Sequence, residues 1–157
     1  MRFASDRISE REHNTIGDII DPGLQRLYAY WDDKRGTRRW PARADIDPLD
    51  LRELLGSIVI VDVVGDPPRF CYRLFGTKIA ARAGFEMTGK HVDEWLDPEY
   101  AAYLHNSYTE VYRAARPFRR LRRIVADRRI LNYESLMLPL GSPERIANIL
   151  ACQIFEE

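Results

Sequence analysis

The stretch RFCYRLFGTKIAARAG, residues 69–84, changes from one local pattern to another. Its first part, RFCYRLF (69–75), is apolar and aromatic, which is typical of a β-strand. Gly76 then interrupts the strand, and the residues that follow predict a short helix over 78–83. The strand also carries Arg73, an always-charged side chain within an otherwise apolar segment. Such a residue either binds a ligand or is a structural brace that forms an ion pair.

A second strand precedes this stretch and predicts a β-hairpin. SIVIVDVV (57–64) is β-branched and apolar on both faces, and GDPP (65–68) supplies the turn. A turn at 65–68 places position 62 opposite about position 71, so Asp62 is a diagonal neighbour of Arg73 on the same face. Because an unpaired charge inside a strand is costly, we expect Asp62 and Arg73 to pair as a structural brace.

Three Asp-Pro pairs indicate helix starts elsewhere in the chain. An aspartate N-cap followed by proline at the first helical position is a typical beginning of a helix. The predicted helices begin at Pro22, Pro48 and Pro98, and the first and third continue to about residues 35 and 115. Apolar residues recur at helical spacing along each of them, so each has one face suited to packing.

Three strand candidates, 118–125, 130–139 and 146–155, follow the long helix. Their short connections favour antiparallel neighbours, and strand groups on both sides of a helical middle predict an α+β domain with one antiparallel sheet. We divide the chain into a flexible N-terminal arm, an N-terminal helical extension and a core. These segments are residues 1–20, 21–56 and 57–157.

Composition limits the classes of function. The 157 residues include 24 Lys+Arg and 24 Asp+Glu, so the whole chain has no net field that would attract nucleic acid or a membrane. The two cysteines, Cys71 and Cys152, lie far apart in apolar runs and are interpreted as buried free thiols. With no signal peptide or apolar run long enough to span a bilayer, we expect a cytoplasmic protein.

Two longer segments carry a family resemblance. WPARADIDPLDLRELLGSIVIVDV (40–63) and FCYRLFGTKIAARAGFEMTGKHVDEW (70–95), in this order of elements, resemble the stand-alone bacterial PAS domain family found mainly in alphaproteobacteria. The resemblance implies a five-stranded antiparallel sheet in the order 2-1-5-4-3, with helices on one face and a pocket between sheet and long helix. It also implies a non-enzymatic sensory or adaptor role in bacterial signalling through protein–protein interaction, with signalling proteins or a homodimer as partners and a small molecule as ligand.

Candidate ligand-binding residues follow from this resemblance. A pocket between the long helix and the sheet would involve Tyr103, Leu104 and Tyr133. PAS domains variously bind haem, flavin or small metabolites, and His105 in the long helix is the candidate haem ligand. His105 follows Leu104 at the edge of the apolar stripe, however, which favours an ordinary surface histidine and no cofactor. No metal loop or catalytic motif is found, because DIDPLD (45–50) lacks the spacing of a calcium loop.

An arginine cluster spans residues 113–129 and leaves two interpretations open. Four of its members, Arg119, Arg120, Arg122 and Arg123, are the candidate anion-binding residues for nucleic acid, a nucleotide or an acidic protein face. Alternatively, they form a solvated sheet edge whose charges prevent aggregation, which we favour because runs of charge are usually solvated.

Overall fold

The computed structural model describes residues 3–13, 16–126 and 129–156. Within these ranges, the helices are α1 (Pro22–Arg35), α2 (Thr77–Ala83) and α3 (Pro98–Ala114). The strands are β1 (Phe3–His13), β2 (Ile58–Val64), β3 (Arg69–Phe75), β4 (Phe118–Ala126), β5 (Arg129–Ser142) and β6 (Arg145–Phe155). No helix of the described residues combines the length and the apolar character that crossing a bilayer requires.

Aspartate caps begin the two long helices, as the Asp-Pro pairs predict. The Asp21 carboxylate accepts the Leu24 N–H at 3.0 Å, and Asp97 accepts the N–H groups of Glu99 and Tyr100. The prediction of a helix that begins at Pro48 is wrong, because only a 3₁₀ turn, Pro48–Leu51, follows the Asp47 cap. A second 3₁₀ turn, Leu55–Ser57, then leads directly into β2, so the segment is too short for a regular helix.

The sheet is antiparallel and confirms the predicted core topology. The strand order is β1-β4-β5-β6-β2-β3, so the five strands β2 to β6 have the order 2-1-5-4-3 when numbered along the chain. At the junction between β3 and α2, Gly76 is required for packing, since a Cβ there would lie 2.3 Å from the carbonyl oxygen of Gly56. The segment 69–84 therefore joins the sheet to α2 at a close backbone contact.

β1 is a sixth strand that the sequence pattern did not predict. It falls within residues 1–20, which we expected to be a flexible arm, and it pairs with β4 at the sheet edge. The register of the pair shifts twice, between Phe3 and Ile8 and between Glu10 and Glu12. An edge strand of this kind pairs through its backbone, so its charged sequence shows none of the apolar alternation by which strands are recognised.

The sheet lies between α1 and the pair α2 and α3. Adjacent residues of a strand point to opposite faces. On β4, Arg120 contacts Ser107 of α3, whereas its neighbour Arg119 pairs with Glu134, whose carboxylate binds the backbone just before α1. We call the face toward α2 and α3 the inner face and the face toward α1 the outer face.

Candidate ligand-binding cavity

A cavity of about 40 Å³ lies on the inner face between α2, α3 and strands of the sheet. A void needs roughly 10–15 Å³ for one water, so this one holds about three water molecules. Its walls are mostly apolar and aromatic, which is typical of small-molecule sites. The lining side chains are Val59, Tyr72, Phe75, Ile79, Arg82, Ala83, Trp95, Tyr100, Leu104, Tyr108, Leu131, Gln153 and Phe155.

The aromatic part of the wall is a connected set of rings. Tyr72 and Phe75 on β3 meet edge to face, with 5.0 Å between ring centroids, and Trp95 meets Tyr100 in the same way at 5.1 Å. The indole N–H of Trp95 donates to the Tyr72 hydroxyl at 3.0 Å, which joins the two pairs. Contacts of this geometry add stabilisation beyond the burial of area, so they hold the wall in a defined shape.

Burial keeps the phenols of this wall neutral. Desolvation is the main cause that raises the pKa of Tyr72, Tyr100 and Tyr108 above the usual value for tyrosine. The positive charge of Arg122 opposes this shift for Tyr100 and Tyr108 but does not cancel it. The three hydroxyls are therefore neutral hydrogen-bonding groups across the physiological pH range.

The three pocket residues expected from the sequence have different positions. Leu104 lines the cavity. Tyr103 and Tyr133 lie beside it, with the guanidinium of Arg122 between their rings at 5.1 and 5.8 Å from the two centroids. The Tyr133 ring also contacts the ring of Phe155, a lining residue, in a tilted arrangement with centroids 4.7 Å apart.

Most of the wall lies outside the three residues predicted from the sequence. Phe75 and Tyr72 belong to the aromatic strand 69–75, and Tyr108 belongs to the apolar stripe of the long helix. The strand pattern and the helix pattern therefore each indicated some of the lining residues. Trp95 comes from a segment without periodicity, and Phe155 from the last residue of β6. Their convergence depends on strand order and not on any local motif.

His105, the candidate haem ligand, packs on Phe70 with 5.5 Å between ring centroids. It is not among the described side chains that line the cavity. The cavity volume is also far below what a porphyrin requires. Among the described residues, no group of three or more His, Cys, Asp or Glu side chains is arranged to hold a metal ion. The geometry therefore gives no support to haem ligation by His105.

The interpretation of the arginine cluster as a solvated edge is wrong for three of its four candidate residues. Arg119, Arg120 and Arg122 are 0%, 1% and 1% exposed, whereas Arg123 is exposed. Arg119 Nε donates to Glu134 Oε2 at 2.7 Å, and Arg120 binds Ser107 and Glu110 of α3. These three guanidinium groups are buried against neighbouring protein groups, so they do not form an open anion surface.

Asp62 and Arg73 lie together on the outer face. Position 62 pairs with position 71, as the turn predicts, and Arg73 donates from Nε and Nη2 to Asp62 Oδ2 at 2.7 and 2.5 Å. Asn148 donates to the other oxygen of Asp62 at 2.7 Å. The register shifts by one residue between Ile60 and Val61, so Arg73 is the extra residue of a β-bulge. The hydrogen bond to Asp62 raises the pKa of Arg73.

The sequence of this fold matches a known family. A family model described as PAS domain matches residues 20–152. The chain therefore belongs to the PAS domain family, a class of sensory and signalling modules. No curated protein matches the sequence.

Proposed function

We propose that this protein is a non-enzymatic sensory or adaptor module in bacterial signalling. It binds a partner signalling protein or a second copy of itself, and a small molecule in the inner-face cavity changes this binding. The observation that carries the proposal is the aromatic cavity between α3 and the sheet. A ligand can shift an equilibrium only by its difference in affinity for two states, and the cavity is where such a difference would arise.

A short chain of contacts connects the cavity to α1. Phe155 lines the cavity and contacts the ring of Tyr133, and the next residue of β5, Glu134, points to the outer face. The Glu134 carboxylate accepts the backbone N–H groups of Ile20 and Asp21 at 2.9 and 2.7 Å. A displacement of Phe155 therefore reaches the beginning of α1 through two adjacent residues of one strand.

This connection makes α1 the output element of the proposal. The side of α1 toward the sheet is fully packed, since Leu24, Leu27 and Trp31 are buried, so a partner would contact the opposite side of the helix.

Burial of Arg119, Arg120 and Arg122 removes the support for the alternative function, binding of nucleic acid or a nucleotide through the arginine cluster.

Native mass spectrometry of the full chain, purified under mild conditions, is the first test. We expect the wild type to retain a small molecule or to show a change in oligomeric state. The cavity-filling variant Leu104→Trp should abolish either effect. Hydrogen exchange then compares wild type with this variant at the amides of Ile20 and Asp21, which should exchange at different rates. The same bound-ligand content, oligomeric state and exchange rates in the two proteins would overturn the proposal.

A further inference from the structure

The charge of the cavity wall has one sign. Among the described residues, none of the side chains that line the cavity is Asp or Glu, and Arg82 is the lining residue with a permanent charge. The guanidinium of Arg82 lies over the Phe155 ring, 4.2 Å from its centroid. Arg82 is exposed and Phe155 half-buried, whereas most other lining side chains are buried, so these two residues form the mouth of the cavity.

The interior of the cavity is neutral and aromatic. Tyr72, Tyr100 and Tyr108 remain protonated because burial raises the pKa of each phenol. Rings of this kind can bind either a neutral aromatic molecule or a cation over their faces. The cation is disfavoured here because its charge would approach Arg82 at the mouth.

The size of the void adds a second restriction. At about 40 Å³ the cavity is too small for an aromatic ring unless a side chain moves. Phe155 is the natural candidate, because it is half-buried and lies at the end of β6. Its displacement would enlarge the cavity at the mouth and leave the Arg82 guanidinium beside the entering molecule.

Building on the proposed function, we propose that the cavity binds a compact aromatic molecule with a carboxylate or a similar anionic group. The ring occupies the position that Phe155 vacates and contacts the aromatic wall, and the anionic group stays at the mouth, where Arg82 pairs with it. Keeping the charge at the partly solvated mouth avoids the cost of burying it. Arg82 is thus the residue that determines specificity for anions.

Three probes with one ring and different charge test this proposal. They are phenylacetate, phenethylamine and toluene, each titrated into the ¹⁵N-labelled full chain. The readout is the indole N–H signal of Trp95, which lines the cavity. Trp31 and Trp40 donate to the carbonyls of Pro139 and Ser142 and serve as internal controls. We expect phenylacetate to shift the Trp95 signal with an affinity about tenfold higher than that of phenethylamine.

Variants separate the charge from the shape. Arg82→Gln should abolish the preference for phenylacetate and leave toluene binding unchanged. Lys78→Gln is the matched control, because it removes the same charge from the same helix at an exposed residue that does not line the cavity. Phe155→Ala should increase the affinity for phenylacetate and toluene, since it removes the side chain that must move.

The outcomes distinguish this inference from the proposed function. Equal or tighter binding of phenethylamine would overturn the anionic ligand class, as would an unchanged preference in Arg82→Gln. Binding of toluene alone would overturn it too, while the cavity would still be a ligand site. If no probe shifts Trp95 even in Phe155→Ala, both the ligand class and ligand control of the module are wrong.

Discussion

The two faces of the sheet differ in how completely they are filled. On the outer face, Leu136, Leu138 and Leu140 of β5 are fully buried beneath a layer that includes Leu27 of α1. On the inner face, aromatic residues surround a void. Protein interiors are normally packed as densely as organic crystals, so the void among these inner-face residues is a local departure from the rule. The comparison indicates that the buried leucines of the outer face supply stability, and that the inner face gives up some of it around the void, which is the ligand site of the proposed function.

Both faces also contain buried arginines that connect the sheet to a helix. Arg119 joins β4 to Glu134 and thereby to the beginning of α1, whereas Arg120 joins β4 to Ser107 and Glu110 of α3. Burying a charge is tolerated only with well-placed partners, so these contacts fix the position of each helix on its face.

The largest effect is expected from Glu134→Leu on the outer face. It leaves Arg119 without its carboxylate and removes the acceptor for two backbone N–H groups, so the free energy of unfolding should fall by about 3–5 kcal/mol. Urea denaturation measures this change. The double variant Arg119→Met, Glu134→Leu is the control and should lose less than the single variant, because the charge of Arg119 is removed together with the Glu134 carboxylate that pairs with it. Additive losses would contradict the view that the two groups act as a pair.

A matched pair of leucines compares packing directly. Leu27→Ala should cost about 2–5 kcal/mol of unfolding free energy, the usual range for a tightly packed site. Leu104→Ala should cost less, because Leu104 already borders a void and has fewer neighbours to lose. Thermal and urea unfolding of the two variants test this order. An equal or larger loss for Leu104→Ala would show that the inner face is packed as tightly as the outer one.

Alkaline pH should affect both faces, with most of the effect on the inner one. Burial raises the pKa of Cys152 to about 12 and raises those of Tyr72, Tyr100 and Tyr108. These groups ionise first in the unfolded chain, so their contribution to stability is complete below about pH 8.5 for the thiol and pH 10 for the phenols, and decreases as the pH rises. Unfolding measured between pH 8 and 11 should show this decrease in stability. Cys152→Ala should make the decrease smaller, and Tyr108→Phe should make it smaller still.

The smallest effect is expected at Asp62 and Arg73 on the exposed end of the outer face. The Arg73 side chain is 66% exposed, so solvent and salt screen its ion pair with Asp62. A double-mutant cycle with Arg73→Ala and Asp62→Ala should give a favourable coupling that is weaker than that of Arg119 with Glu134 and disappears in concentrated salt. Strict additivity at low salt would show that this pair does not brace the hairpin.

Sequence reasoning was most successful where the determining contacts are local. The Asp-Pro caps predicted the beginnings of α1 and α3, and the turn at 65–68 predicted the pairing of Asp62 opposite Cys71. It failed for the arginines of β4, because their burial depends on partners in other elements, such as Glu134 of β5 for Arg119 and Ser107 of α3 for Arg120. A run of charge in the sequence does not show which of its members have partners far along the chain.

The sequence by itself indicated the family through its resemblance to PAS domains, and the order of the five core strands followed from that resemblance. It also determined the proximity of Asp62 and Arg73, because a hairpin turn acts over a few residues. The tertiary structure alone decided the addition of β1, the burial of Arg119, Arg120 and Arg122, and the shape of the cavity. The cavity is bordered by side chains that range from Val59 to Phe155. Its shape is therefore set by how these distant residues fit together, which no single segment of the chain specifies.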